Sequence, residues 1–443
     1  MNNSKSKTQI PSLGTKPVVA AFDGGDITSD AGWLLVALAD RKIGLTDALA
    51  QGVVDARDPA KVEHPVEDML KERIYAIISG YQDCNDLDFL RSDPALKEAC
   101  GRNAITGADL ASQPTLSRFE NMLTRRDLIR MAKEILCCST AQIPKDSREI
   151  ILDVDATDDP THGSQQLTLF NGHYDEHCYV PLHVFATGSD GKRRIVASVL
   201  RPGNASYKTG LIGTLRAVTK ALRKRFPRAR IILRGDSDFG KPLVRSFCRK
   251  YGLRYSLGLA SNSALLGKGT ETMLRTAVTK TVLGGDPVEY DEFSYKARSW
   301  PSPERVIIKC EVTQEKLNPR FVVTNMSRAP EELYEFHCGR GECENGIKEL
   351  KLDLNSGRTS CSRFLANQAR LLLHTAAMVL IQVIQDAAAG TRYAAMQAGT
   401  LRVRLLKIGA RVVESVRRVC FHLSSSHPDQ QGWSLIADRL LTG

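Results

Sequence analysis

The 443-residue chain carries 61 Lys and Arg against 50 Asp and Glu, a formal charge of +11, with the surplus gathered in runs such as KALRKRFPRAR (Lys220 to Arg230) and LRVRLLKIGARVVESVRR (Leu401 to Arg418). The length predicts two to four domains whose cores need no staples, and the basic runs favour a polyanion partner, nucleic acid first. Eleven cysteines without any CxxC spacing argue against a secreted disulfide scaffold and for a reduced intracellular protein.

The N-terminal MNNSKSKTQIPSLGTKP lacks the apolar core of a signal peptide and is expected to be a flexible polar arm. Residues 17–40, PVVAAFDGGDITSDAGWLLVALAD, predict a strand, a Gly-Asp turn and a helix, after which the chain reads as mainly helical to about Leu136. Met69, Leu70, Ile74, Ile77 and Ile78 recur at helical spacing, and so do Leu116, Phe119, Leu123 and Ile129 within TLSRFENMLTRRDLIRMAKEIL. Ser112 as a cap and Pro114 near the first turn open that second pattern. Its arginines, Arg118, Arg125, Arg126 and Arg130, form either a DNA contact or a solvated face.

From about residue 147 the texture changes. REIILDVDATDD, HCYVPLHVFATG, RRIVASVLRPGN, ARIILRGDSDFG and LRYSLGLAS read as strands, with helical patterns at TGLIGTLRAVTKALRKRF and GKPLVRSFCRKYG. That succession predicts an α/β sheet of mixed direction. Between Ser261 and Asn325 the segments VEYDEFSYKARSW, ERVIIKCEVTQ and RFVVTN are β-rich and suggest an insertion. A charged helix follows, then a long apolar one from about Ser362 to Asp386, then a basic tail. The apolar window Leu371 to Ile384 is shorter than the roughly 18 residues of a membrane span and is expected to be a buried helix.

The charged helix, HCGRGECENGIKELK from His337 to Lys351, holds three glutamates. Wound at roughly 100° per residue, it puts Phe336, Cys343, Ile347, Leu350 and Leu354 on one buried stripe and His337, Arg340, Glu344 and Lys351 along its edge. Glu342 and Glu349 fall on the water side. Glu344 is therefore the glutamate placed beside bases at the border of a core, although a charged run is more often a solvated face. Gly339 and Gly341 are expected to loosen the first turn.

Partner carboxylates are sought at strand ends, where a sheet can aim them. Asp155 ends IILDVD and Asp236 ends RIILRGD, with Asp153 and Asp238 as their understudies; each alone is more often a turn residue than a ligand. Three carboxylates from separate elements can hold two Mg²⁺ ions, one activating a water or a 3′-hydroxyl and the other steadying the leaving oxygen. Mn²⁺ is the expected substitute. His162, His173, His177, His183 and Cys178 match no usual zinc spacing.

DVDATDD, LRPGNAS, RGDSDFG and the R-x3-E-x6-K of Arg340, Glu344 and Lys351, in this order, resemble the DDE transposases of bacterial insertion sequences, most of all the 1380 group. The resemblance takes in AFDGGDITSDAGWLL and SQPTLSRFEN as well. It implies an α/β fold with a ribonuclease-H-like catalytic core, interrupted by a β-strand insertion and flanked by helical N-terminal and C-terminal regions.

The expected segments are a DNA-binding region at 1–145, the core at 146–260 and 326–390, the insertion at 261–325 and a basic C-terminal region at 391–443. Asp155, Asp236 and Glu344 match the catalytic, metal-binding acids, and Arg340 and Lys351 match phosphate contacts. The related signature begins with Tyr where this chain has His337, whose charge depends on pH. Trp300, in the insertion, corresponds to an aromatic that can stack on a displaced base in similar transposases, with a core tryptophan as the alternative.

The implied activity is metal-dependent cleavage and strand transfer of double-stranded DNA at inverted-repeat ends. A homodimer would act in the bacterial cytoplasm, at the nucleoid, on the element's ends and target DNA. The rival readings are a catalytically retired DNA-binding protein and a structure-selective nuclease of the same core fold.

Overall fold

A computed structural model describes residues 7–11, 14–314 and 316–442. The chain separates into two compact units, one built from residues 1–131, 353–355 and 376–443, the other from 132–352 and 356–375.

The second unit is organised on one eight-stranded mixed sheet. Its strands are β1 (Glu149–Ala156), β2 (Leu182–Thr187), β3 (Arg193–Val199), β4 (Arg230–Gly235), β5 (Arg254–Leu259), β6 (Val288–Tyr295), β7 (Glu304–Thr313) and β8 (Lys316–Thr324). In space they run β6-β7-β8-β5-β4-β1-β2-β3. β1, β4 and β5 are parallel neighbours, and every other pairing is antiparallel. Helix α1 (Leu211–Arg225) carries the chain from β3 to β4, and α2 (Pro242–Lys250) from β4 to β5.

Alternation along the strands builds two different faces. Ile150, Leu152 and Val154 of β1 join Ile231 and Leu233 of β4 in a core with Leu215, Val218 and Leu222 of α1 and Val244 and Phe247 of α2. The intervening Ile232 belongs to the opposite face, in a smaller cluster with Ile307, Val322, Leu333 and Tyr334. There α5 (Pro330–Cys338) packs on β5, β6 and β7, and α6 (Gly341–Lys348) packs on β1 and β3. Asp153 and Asp155 point to this second face.

The segment at 261–325 is not a separate β module in space. Its strands extend the sheet, β8 pairing with β5 from Ser256↔Thr324 to Leu259↔Phe321. It also holds two helices that its sequence disguised, α3 (Ser263–Lys268) and α4 (Thr270–Leu283). TETMLRTAVTKTVL is rich in β-branched residues, which lower helix propensity, and α4 nevertheless packs along β6, β7 and β8. HCYVPLHVFATG is likewise two strands, because Pro181 has no N–H to continue a ladder; Glu176–Tyr179 joins a small separate sheet and β2 starts afresh at Leu182.

In the first unit, the N-terminal and C-terminal segments fold together. The expected basic tail is a hairpin, Ala410–Ser415 with Arg418–Leu423, that adds strand Ile27–Thr28 at its edge, followed by helix Gln430–Thr442. The described part of the polar arm is also ordered, as a pair of strands, Thr8–Ile10 and Val18–Ala20; the rest of that expectation, at 1–6 and 12–13, lies outside the described residues.

Helix Val66–Ile78 buries Met69, Leu70, Ile74, Ile77 and Ile78 completely. The pattern after Ser112 is two helices, Gln113–Met122 and Arg125–Ala141. Thr124 caps the second, its hydroxyl accepting from the Asp127 N–H while the Asp127 carboxylate accepts from the Thr124 N–H. That restart resets the phase, so Leu116, Phe119 and Leu123 are buried while Ile129 is exposed. Helix Phe364–Ala387 is long and apolar enough to cross a membrane, and most of it is buried within the protein.

Candidate active site

β1 and β4 pair in parallel with Gly235 opposite Val154. Asp236, the next residue in the chain, therefore stands level with Asp155 at the C-terminal ends of two adjacent strands, where α/β sheets place their ligands. The turn after β4 is wound tightly: a Cβ on Gly240 would meet the Gly258 carbonyl oxygen, and one on Gly235 would meet Phe239, whose ring is buried. Within that turn the Asp238 N–H donates to Asp236 Oδ1 at 2.9 Å, which fixes the Asp236 carboxylate while Asp238 itself is exposed. Asp155 accepts from the Ala156 N–H at 2.8 Å.

α6 brings Glu344 to the same face. Gly346 lets the helix approach the sheet, since a Cβ there would lie 2.9 Å from the Phe185 ring and 2.7 Å from Arg193 Nε. Cys343, Ile347, Leu350 and Leu354 are buried and Glu342 is exposed, as the helical phase predicts. Glu349 is buried instead of facing water. Its own backbone is ordinary α-helix, φ −60° and ψ −44°, and a π-helical turn over Glu349–Asp353 begins there, so helix phase by itself does not decide its exposure. The run is also not one helix: α5 ends at Cys338 and α6 begins at Gly341, with Gly339 and Arg340 between.

Glu344 lines two adjoining clefts. One, about 630 Å³, includes Asp236, Ser237, His337 and Arg340; the other, about 310 Å³, includes Asp155, Thr157 and Lys351. Arg340 connects the acids, with Nη1 3.5 Å from Asp155 Oδ2 and 3.1 Å from Glu344 Oε1. Burial pushes the Asp155 carboxyl up to about 6; the charges of Asp236 and Glu344 push the same way, against the Ala156 N–H and Arg340. Asp236 is also raised, by burial first. Among the described residues, no three acidic, His or Cys side chains stand close enough to share one ion. The donors are nevertheless all carboxylates in mutual repulsion, the chemistry of a site for a hard divalent cation, and Arg340 supplies positive charge between two of them.

The other expected residues fall in three places. His337 lines the larger cleft, with Nδ1 3.1 Å from Ser256 Oγ. Burial, then Arg340, lowers its pKa to about 4, which favours the uncharged imidazole at neutral pH. Lys351 Nζ donates to the Asp158 carbonyl at 2.9 Å, Asp158 Oδ1 at 3.1 Å and Thr157 Oγ1 at 3.2 Å. Those bonds occupy its three protons, and they tether the chain just beyond Asp155. Asp153 is consumed by Arg234, which forks onto it at 2.7 and 2.8 Å.

Trp300 is not at the acids. Trp300 is 8% exposed in the core, the Arg245 guanidinium 3.5 Å from its ring centroid and the Tyr295 ring edge-on at 5.1 Å; in this arrangement neither face is open to a base. Arg118 lies in the first unit, exposed on helix Gln113–Met122 and donating to Thr115 Oγ1. Arg234 was not singled out from the sequence, and His183 was weighed there only as a zinc ligand. Arg234 was legible in principle, because IILDVD and IILRGD pair in register with opposite charges at their fourth positions. His183, the cross-strand partner of Asp155, is fully buried with its pKa lowered to about 3 by burial; nothing in PLHVFATG marked this pairing.

No curated protein matches the chain. A family model described as transposase DDE domain group 1 matches residues 10–442, nearly the whole length and all the site residues described above. Members of such families typically use divalent metal ions. With two aspartates aligned at neighbouring strand ends and a helical glutamate over them, the chain belongs to the transposase DDE domain group 1 family.

Proposed function

We propose that the protein binds the inverted-repeat ends of an insertion sequence of the 1380 group and catalyses DNA cleavage and strand transfer with Asp155, Asp236 and Glu344. The observation that carries this reading is that Asp155 and Asp236 stand level at neighbouring strand ends while Arg340 joins Asp155 to Glu344 of α6. The order β3-β2-β1-β4-β5, with β2 antiparallel to its neighbours, supports a ribonuclease-H-like core, and β6 to β8 supply the expected strand insertion.

Two divalent ions, magnesium or manganese, would supply activation of water or a 3′-hydroxyl and stabilisation of the leaving oxygen. Asp155 and Asp236 hold their carboxylates at fixed strand ends, Glu344 reaches both clefts, and Lys351 steadies the segment after Asp155. Arg340 is the base placed to meet a phosphate oxygen, with neutral His337 offering one further hydrogen bond. Arg118 in the first unit is a backbone contact for duplex DNA, and pairing two ends calls for a homodimer.

The test is a cleavage and strand-transfer assay on inverted-repeat duplexes with Mg²⁺ or Mn²⁺. Glu344→Gln abolishes both steps and retains DNA binding, while Glu342→Gln, altering only the exposed pair with Arg193, retains all three. Cleavage without joining assigns a nuclease, and loss of activity in Glu342→Gln instead would overturn the site.

A further inference from the structure

Three cations stand around the acids, and their bonding separates them. Arg234 is held by four hydrogen bonds: two to Asp153, one at 2.7 Å to the Phe336 carbonyl and one at 3.2 Å to the Gly339 carbonyl. Lys351 uses its three protons on Thr157 and Asp158. Arg340 differs from both. Its side-chain partners among the described residues are Asp155 and Glu344, reached through one nitrogen at 3.5 and 3.1 Å, without the fork that makes arginine pairs strong. It is partly exposed, lines the cleft of Asp236 and Glu344, and sits at the break between α5 and α6 with a glycine on either side. A Cβ on Gly341 would meet no atom within 4 Å, so no neighbouring atom crowds the residue after Arg340.

We propose that Arg340 and a divalent cation compete for Asp155 and Glu344, so that binding of the cation would free the Arg340 guanidinium for a DNA phosphate. The inference rests on the reading of Asp155, Asp236 and Glu344 as metal ligands. It follows from competition for the same two carboxylates. An arginine attached through one loosely placed nitrogen brings a single charge, whereas a divalent ion brings two and bonds directly to oxygen. With a cation on the acids, the freed arginine would be available to the phosphate. Linkage makes the coupling reciprocal: whatever draws Arg340 onto DNA raises the affinity of the acids for the ion.

The test uses the full chain without DNA and Mn²⁺ as the probe. In an electron paramagnetic resonance titration, Arg340→Gln binds Mn²⁺ roughly three- to tenfold more tightly than wild type, the equivalent of one or two exposed ion pairs no longer competing. In the unmutated protein, phenylglyoxal modification mapped by mass spectrometry increases at Arg340 when Mn²⁺ is added, and does not increase in Asp155→Asn. Equal or weaker Mn²⁺ binding by Arg340→Gln, or unchanged Arg340 reactivity while Mn²⁺ binds the acids, overturns the exchange. If wild type, Asp155→Asn and Glu344→Gln all bind Mn²⁺ alike, the acids are not its ligands and the underlying reading fails instead.

Discussion

Arg234 and Asp153 stand opposite each other on adjacent parallel strands, joined by a two-bonded fork at 2.7 and 2.8 Å, both almost fully buried. The remaining donors of Arg234 close the C-terminal carbonyls of α5 at Phe336 and Gly339. A Cβ at Gly339 would lie 2.6 Å from Arg234 Nη1, so the glycine before Arg340 is there to admit this guanidinium. The pair thus fixes where α5 stops and where Arg340 begins. Arg234→Met leaves a buried carboxylate unpaired and is expected to lower unfolding free energy by about 3–5 kcal/mol. Adding Asp153→Leu recovers most of that loss in denaturant titrations. Activity stays low in the double variant, because the α5 carbonyls have lost their donors.

Gly346 and Gly341 make opposite predictions on one helix. Gly346→Ala drives a methyl into Phe185 and Arg193, lifting α6 and Glu344 from the sheet. The expected cost is about 1–3 kcal/mol, with cleavage falling further than stability accounts for. Gly341→Ala has open space and should stabilise α6 by about 0.5–1 kcal/mol. Thermal melts beside cleavage rates separate the two, and a damaged Gly341→Ala melt would contradict the geometry.

The placement of the three acids at strand ends and on a helix edge was legible because strand ends and helix phase leave local marks. IILDVD and RIILRGD are short apolar runs ending in a carboxylate, and the stripe through Cys343 and Ile347 singled out Glu344 by period alone. What escaped depends on partners distant in sequence. Lys351 looks like a free phosphate contact until Thr157 and Asp158 take its protons. Glu349 looks solvated by helix phase and is buried in the fold. Ile129 looks buried until the Thr124 cap restarts its helix. The hidden α4 shows the same limit: packing on β6 to β8 outweighs a sequence full of threonine and valine.

Trp300 separates a packing role from a DNA-stacking one. It lies between Arg245 and Tyr295, and Arg245 is paired with Glu304 at 2.8 Å. Trp300→Ala is expected to destabilise by about 3–5 kcal/mol, with Trp300→Phe losing far less. In a variant keeping Trp300 as its sole tryptophan, fluorescence should not change when inverted-repeat DNA binds. Quenching by unpaired end nucleotides would mean that the ring leaves this pocket.

Asp155 predicts how stability depends on pH in the absence of metal. Its carboxyl is raised from 3.8 to about 6, so the native state holds a proton there that the unfolded chain has already released. Stability from this group is complete below 3.8 and is lost as pH rises through about 6. At neutral pH the ionised carboxylate is therefore a burden, and Asp155→Asn should be more stable than wild type by roughly 2–3 kcal/mol. The gap should close in acid. Mn²⁺ should also narrow it at neutral pH, because an ion bound to the native site stabilises the wild type. An asparagine variant that melts below wild type at neutral pH without metal would show that Arg340 and the Ala156 N–H outweigh the repulsion from Asp236 and Glu344.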